Sequence, residues 1–598
     1  MMAPGSNRPR PWTLTPWLTA WMDYTSGSGI LSTGQRFQAA TPRGRKNPTL
    51  NDKLNAVSAA AGVGVERVKI MLTGAVPKAD RAGQHWLMVQ TPDWSKHLGQ
   101  WYGTPPTGRF VHHVTGQYLE VRTAAEWFGD ASLNPKEAME AWSLLDSVLT
   151  FTFGSSLDSK VRTVLMNSPA ATGTNLWAAA MPKGLDPVPL DPDVAEQLHA
   201  TSGQHHLDHL VAGPSIANHE DVVPLIDPRA QKIDQFAYVD GRFMYASLCR
   251  ELGTGPGVRL GQWDTRELLE DNPYVRARVY VRFTVPADWH HVGIFGVQHQ
   301  NPADGWYYPN RPGAVGQTWA DASEVFVARR FGWAVEPMES VVFNETMNHA
   351  HKRFDADAGR ATRGKTKARP LDHWAIKLTT TRENIAEDPQ IPAQQKKALG
   401  AALRSILIQS IGAFASRGRS KTVDVYDARE IPPEYAHTVQ QKGKAFVYEI
   451  PQKLNDRQQA FYHPEFAAQV WGRGRAKVLS GRANHQDTGA LMLPGETVIG
   501  INGDAIYTTA VPQWARPVEE GGADDGKTGR LRLQGFLQGP MPVPTSRTER
   551  DKLRDRAVKN GPQIPDRVMD QAAFAFEWET PDDEVQTYRP ADETQEQA

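Results

Sequence analysis

The sequence predicts an α+β protein built from several subdomains, on three observations. Its 598 residues exceed what one hydrophobic core organises, and the usual scale gives roughly three to five domains or subdomains. Strand-like and helix-like stretches interleave in both the N-terminal and the C-terminal parts of the chain. Segments rich in Pro, Gly and Asp separate these periodic stretches. With 40% hydrophobic and 22% charged residues, 18 Trp and 20 Phe, the composition supplies apolar material for packed cores and excludes a chain disordered throughout.

Residues 1–50 are rich in Pro, Gly, Ser and Arg, end in the basic run Arg43, Arg45, Lys46, and are expected to form a flexible basic arm. An N-terminal domain is expected over 51–228, with a helix at 51–61, strand-like stretches at 85–90 and 110–121, and a helix at 135–149. Pro and Asp punctuate 182–195 and mark a connecting segment. Over 229–580 strands are expected at 236–239, 277–285 and 291–297, a helix at 320–331, a long helix at 393–415 and a hairpin at 496–511. The 581–598 tail carries Asp582, Asp583, Glu584, Glu593 and Glu596 and is expected to be disordered.

Net charge is −1 and the pI about 7.0, so a surface for a polyanion must be a local concentration of Arg and Lys. A single cysteine, Cys249, excludes an internal disulfide framework and a cysteine-based zinc site. His113, His199, His205, His206, His209 and His219 follow no standard metal-ligand spacing. The N-terminal residues lack the apolar core of a signal peptide, and no run approaches the roughly 18 apolar residues of a membrane span. A cytoplasmic protein without a membrane partner is expected.

Three segments carry candidate chemistry. Phe236-Ala-Tyr-Val-Asp240-Gly-Arg-Phe-Met-Tyr245 places an aspartate at the end of an apolar strand, followed by a turn into a short helix bearing Tyr245. Gln394 to Ala415 reads as a helix with basic residues on successive turns, so that Lys397 and Arg404 lie within reach of one face. Glu496-Thr-Val-Ile-Gly-Ile501 runs into Asn502-Gly503, the strongest short hairpin signal, and then into Ala505-Ile-Tyr-Thr-Thr-Ala510. Asp504 therefore sits at a rigid tip, where a carboxylate suits a metal ion. Taken singly, the third segment reads first as an ordinary turn with a backbone-bonding aspartate and the second as a solvated basic helix face.

In order, the three segments resemble motifs A, B and C of the B-family DNA polymerases, most closely the protein-primed branch of bacteriophages and linear plasmids. The family's motif A runs Asp-x-x-Ser-Leu-Tyr-Pro-Ser; Asp240 and Tyr245 stand at its aspartate and tyrosine, and Ala246 at its proline. In motif B, Arg404 falls on the family's lysine and Gly412 on its glycine, while Ile411 replaces a tyrosine. Motif C, usually Asp-Thr-Asp-Ser-Ile, reads Asn502-Gly503-Asp504-Ala505-Ile506, which keeps the second aspartate. Asp372-His-Trp-Ala-Ile-Lys377 and Val470-Trp-Gly-Arg473-Gly-Arg475 also look like this branch. Lys527-Thr-Gly-Arg530-Leu-Arg532 approximates the basic element that follows motif C.

The resemblance implies a right-hand polymerase of palm, fingers and thumb over 229–580, preceded by an exonuclease-like α/β domain. It implies template-directed addition of deoxynucleotides to a primer end. Two Mg²⁺ ions roughly 3.5 to 4 Å apart, or Mn²⁺ in their place, would serve both oxygens of the displacement. Asp240 and Asp504, with Val239, are the expected metal set, Asp240 and Asp504 being the catalytic pair. Tyr245 is expected to exclude a 2′-hydroxyl, and Lys377, Lys397, Arg404 and Gly412 to contact the triphosphate. DNA is expected at Arg417, Arg419, Lys421, Arg473, Arg475, Lys527 and Arg530.

Separations of 164 residues from Asp240 to Arg404 and 98 from Arg404 to Asn502 leave room for the two insertions of the protein-primed branch. A terminal priming protein is accordingly an expected partner, beside DNA and deoxynucleoside triphosphates, in phage or plasmid replication within a bacterial cytoplasm. No Asp-x-Glu pair precedes residue 229, and Asp191-Pro-Asp193 lies among prolines, so the N-terminal domain is expected to be inactive as an exonuclease. The rival expectation is a polymerase-fold protein that binds nucleic acid without catalysis.

Overall fold

The computed structural model describes residues 9–12, 17–77, 91–98, 108–129, 132–153, 164–181, 187–202, 208–210, 212, 219–227, 229–250, 252–270, 275–300, 305–343, 370–417, 421–433, 439–442, 445–450 and 453–560. The expected strand at 85–90, the 581–598 tail, His205, His206 and Arg419 lie outside them. The chain is of mixed α and β content and divides into two compact units. The first comprises 1–10, 182–373 and 411–598; the second comprises 11–181 and 374–410. The expected boundary at 228/229 falls inside the first unit. Among the described residues no helix is long and apolar enough to cross a membrane.

The second unit is organised by a seven-stranded sheet. Its strands are β1 (Leu18–Asp23), β2 (Ser28–Leu31), β3 (Arg36–Gln38), β4 (Arg67–Thr73), β5 (Trp94–Leu98), β6 (Gly108–His112) and β7 (Tyr118–Thr123), in the spatial order β3-β2-β1-β4-β7-β6-β5. β4 runs parallel to both β1 and β7, and the remaining pairs are antiparallel. Residues 18–38 are therefore not a flexible arm. Ala20, Trp21 and Met22 bury completely in β1, as a strand covered on both faces must, and the glycines that suggested an arm are its turns, Gly27 at φ +70° and Gly34 at φ +91°. The stretch at 110–121 is two strands rather than one, broken at the turn of Gly116 (φ +69°).

Helix Leu50–Ala61 forms where expected and starts at a capping box: the Thr49 hydroxyl accepts from Asp52 N, and the Asp52 carboxylate accepts from Thr49 N. Leu54 and Val57 seat it on the sheet core of Ile70, Leu72, Trp94, Phe110 and Leu119. Helix Pro135–Phe153 buries Ala138, Ala141, Leu145, Leu149 and Phe153, an apolar stripe of helical period.

The first unit holds two main sheets. One is four-stranded and antiparallel, in the order Val258–Leu260, Ala334–Val342, Ala277–Thr284, Val315–Asp321. The expected helix at 320–331 follows it as Ala322–Arg330, begun by a capping box of Asp321 and Glu324. The stretch 291–296 is not the expected strand. Its carbonyls are taken by a buried guanidinium, since Arg475 Nη2 donates to Gly293 O at 2.9 Å and Nε to Ile294 O at 3.3 Å.

The other sheet is five-stranded: β8 (Asp208–Leu210), β9 (Lys232–Gly241), β10 (Val498–Asn502), β11 (Ala505–Thr508) and β12 (Leu531–Pro542), in the order β12-β9-β11-β10-β8. All its pairs are antiparallel. Helix Arg547–Asn560 packs on it, and Gly535 permits the approach, because a Cβ there would lie 2.4 Å from Ala557 O. Ile233, Phe236, Ile499, Tyr507, Leu537 and Leu553 form the shared core.

Candidate active site at one end of the five-stranded sheet

Strand β9, flanked by β12 and β11, ends at Asp240-Gly241. Val239 stands opposite Ile506 of β11 on one edge and Leu533 of β12 on the other. Asp240 lies opposite Arg532 and is only 3% exposed. The β10–β11 hairpin closes with Asn502 opposite Ala505, so Gly503 and Asp504 form its two-residue tip, with Gly503 at φ +59°.

Two glycines mark how closely the segments meet. A Cβ on Gly241 would fall 3.1 Å from the Asp504 Oδ2 atom, and one on Gly503 would fall 3.3 Å from the Tyr245 hydroxyl. Asp240, Tyr245 and Asp504 are thus gathered at one end of the sheet, although 264 residues separate the two aspartates.

Tyr245 rides on the short helix Met244–Leu248, which follows a turn of unusual geometry. Phe243, the residue before it, has φ +42° and ψ +40°, a left-handed conformation that costs a non-glycine residue roughly 1–2 kcal/mol. Helix Pro464–Leu479 supports this corner. Its Gly474 would bring a Cβ 3.1 Å from Leu248 Cδ1, and Arg473 Nη1 donates to Leu248 O at 2.9 Å and to Arg250 O at 2.8 Å.

Several expected binding residues are redirected by burial. Arg473 and Arg475, each 4% exposed, do not form a phosphate-binding surface. Arg473 caps the carbonyls just described, and Arg475 holds the 293–294 carbonyls and lies 3.9 Å from the Tyr308 ring centroid. Arg530, 2% exposed, is forked onto Asp525 through two 3.0 Å bonds. Burial works to raise the Asp525 carboxyl, but the Arg530 guanidinium and the Lys527 amide outweigh it and hold it at about 2. Lys527 Nζ, a quarter exposed, sits 3.4 Å from the same carboxylate. Arg417 is engaged by Glu196 at 2.6 Å and by the Tyr462 hydroxyl at 2.9 Å. Lys421 begins strand Lys421–Val425.

Val239 has an apolar, fully buried side chain and pairs with Ile506 and Leu533, so the part of it that could join a metal set is its backbone carbonyl. Lys377, Lys397 and Arg404 belong to the second unit. Lys377 Nζ donates to Thr152 O at 3.1 Å, while Lys397 and Arg404 project from exposed positions of helix Ala393–Phe414. Gly412 lies on that helix within the first unit and is exposed.

Asp240 and Asp504 offer carboxylate oxygens alone, the hard donor set that suits Mg²⁺ or Mn²⁺. Among the described residues no three His, Cys, Asp or Glu side chains gather as a metal cluster, so a cation here would draw its other ligands from substrate and water. Arg532 opposite Asp240, and the pairing of Arg242 with Asp524, were missed in the sequence. Arg532 carried a signal, since it lies in the basic run after the hairpin; Asp524 carried none beyond an Asp-Asp-Gly turn.

No family model and no curated protein matches the chain. Solved structures resemble it, among them the following two. One is phi29 DNA polymerase in an orthorhombic crystal form, with a TM-score of 0.46 and 11% identity over 88% of this chain and 85% of that one. The other is phi29 DNA polymerase complexed with primer-template DNA and incoming nucleotide substrates, at 0.45 and 10% over the same shares. An overlap of this extent leaves function to be read from the residues themselves.

Proposed function

We propose that this chain is a DNA-directed DNA polymerase that adds deoxynucleotides to a primer end by two-metal nucleotidyl transfer. One observation carries the reading: Asp240, Tyr245 and Asp504 meet at one end of an antiparallel sheet, at the positions where the sequence resembles polymerase motifs A and C. In this reading the five-stranded sheet is the palm, helix Ala393–Phe414 belongs to the fingers, and the partners are template, primer and deoxynucleoside triphosphates. A terminal priming protein is a candidate further partner.

Asp240 and Asp504 would hold the cations. When bound, these polarise the phosphoryl centre and acidify the attacking hydroxyl. Tyr245, its hydroxyl against the Gly503 backbone, would form the floor under the sugar and leave no room for a 2′-oxygen.

Primer extension with Mg²⁺ tests the reading. Wild type should extend a primed template, and Asp504→Ala should lose roughly 10³-fold in rate, the size of effect expected when a key electrostatic group is removed. Asn502 favours a second reading, a nucleic-acid-binding protein on the same fold without catalysis, because an amide stands where the family has a carboxylate. Binding of primed template without extension, by the wild type as by Asp504→Ala, would favour that reading over the first.

A further inference from the structure

The turn between Asp240 and Tyr245 is held by a segment 282 residues away in sequence. Arg242 Nε donates to Asp524 Oδ1 and Nη2 to Asp524 Oδ2, both at 2.7 Å, with the side chains 6% and 1% exposed. The backbone is clamped at the same point: Arg242 N donates to Arg530 O, and Gly529 N donates to Arg242 O, each at 2.7 Å. Asp524 is itself fixed, since its Oδ1 also accepts from Gly526 N at 3.0 Å and its main chain bonds Arg516 and Val518. Gly529 lies so close to the Tyr245 helix that a Cβ on it would meet Ser247 Oγ at 2.4 Å.

These contacts bracket Phe243, whose left-handed backbone persists only where the surroundings over-determine it. The turn they fix has the first aspartate on one side and the tyrosine on the other. Its Gly241 is also where the Asp504 carboxylate approaches. Relaxing Phe243 toward ordinary backbone geometry would swing the Met244–Leu248 helix, and the Tyr245 ring with it, relative to both carboxylates.

We infer that Arg242 and Asp524 are a positioning pair: by locking the 241–243 turn they set Tyr245 against the aspartates and so determine how strictly the site rejects ribonucleotides. The inference rests on the polymerase reading above. It assigns a role in sugar selection to two residues outside the Asp240, Tyr245 and Asp504 set.

The test uses the full chain, a primed template and Mg²⁺, and compares kcat/KM for a deoxynucleotide with that for the matching ribonucleotide. Asp524→Asn keeps the shape of the side chain and weakens the pair; Arg242→Lys keeps the charge and removes the fork. Each should lower the deoxy-to-ribo ratio about ten-fold and raise KM for the deoxynucleotide, the scale of a sub-ångström misplacement. Arg330→Ala, which breaks the surface pair of Arg330 with Asp487, should leave the ratio unchanged. Melting curves identify the variants that fold, and if Asp524→Asn does not fold, Arg242→Lys carries the comparison. A ratio within two-fold of wild type in a folded variant overturns the positioning role while the polymerase reading stands. A wild type that extends nothing overturns both.

Discussion

The two largest sheets of this protein gather their carboxylates from different distances along the chain. In the seven-stranded sheet the acidic groups are consumed locally: Arg122 Nε donates to Glu120 Oε1 at 2.6 Å, and Arg122 Nη1 lies 3.2 Å from both Glu126 oxygens. Burial pushes the Glu126 carboxyl up against that pairing, and burial together with Arg122 brings the Lys69 ammonium down to about 8 despite the two glutamates. The five-stranded sheet instead brings Asp240 and Asp504 to one end from distant parts of the chain, beside a strained residue and two glycines at close approaches. Partners close in sequence tie one strand to its own neighbours, whereas carboxylates brought from distant segments to a sheet end are the arrangement that the proposed cation site uses.

That contrast can be broken most severely through Arg122. Arg122→Ala leaves the buried Glu120 and Glu126 with only Arg109, 3.7 Å from Glu120, and the Lys69 ammonium to offset them, and should cost about 3 kcal/mol of stability, read from denaturant unfolding. Nucleotide addition by the protein that remains folded should be unchanged. In the other sheet the reverse is expected of Gly241→Ala, whose Cβ would crowd Asp504 Oδ2 at 3.1 Å and Met244 Cβ at 2.6 Å. Its melting temperature should move by only a few degrees, while the extension rate falls about 100-fold, or roughly 2.7 kcal/mol.

Acid should act on the Arg530 partner next. Asp525 has a folded-state value depressed to about 2 from 3.8, so its contribution is present above pH 4 and is lost as pH falls toward 2. It amounts to about 2 kcal/mol for a side chain 15% exposed. Unfolding measured between pH 5 and 2 should show this loss in wild type and a flatter dependence in Asp525→Asn. A smaller effect is expected of Tyr245→Val: rates with deoxynucleotides largely kept, and discrimination against ribonucleotides reduced about ten-fold, near 1.4 kcal/mol. Smallest of all, a 3′-mismatched primer incubated with Mg²⁺ and no nucleotides should stay intact, and steady shortening would overturn the expectation that the chain lacks an exonuclease.

Much of the site was legible in local sequence because its elements declare themselves locally. Asn502-Gly503 between apolar β-branched runs specifies a hairpin whatever surrounds it, and the apolar run before Asp240 reads as a strand. What failed depended on tertiary covering. Arg473 and Arg475 stand two residues apart on helix Pro464–Leu479, where charged side chains are expected to reach solvent or phosphate, yet both are 4% exposed. Periodicity cannot report that a charged face is packed against another element. The nearby Gly472 and Gly474 were the hint, since a Cβ on Gly472 would meet Asp321 Cβ at 2.3 Å.

The N-terminal strands failed for a related reason. Glycine, serine and proline around Trp21 and Met22 describe the turns of a meander as readily as a loose arm. Arg242 and Asp524 had no local signal at all, because a buried ion pair across 282 residues exists only once the chain is folded.

The central claim is that Asp240 and Asp504 act as one site. Single-turnover nucleotide incorporation by Asp240→Ala, Asp504→Ala and the double variant addresses it directly, because groups that act together are non-additive. Each single variant should fall roughly 10³-fold, and the double variant should fall no further. A single variant that retains the wild-type rate, or a double variant whose loss is the product of the two, would contradict the shared site.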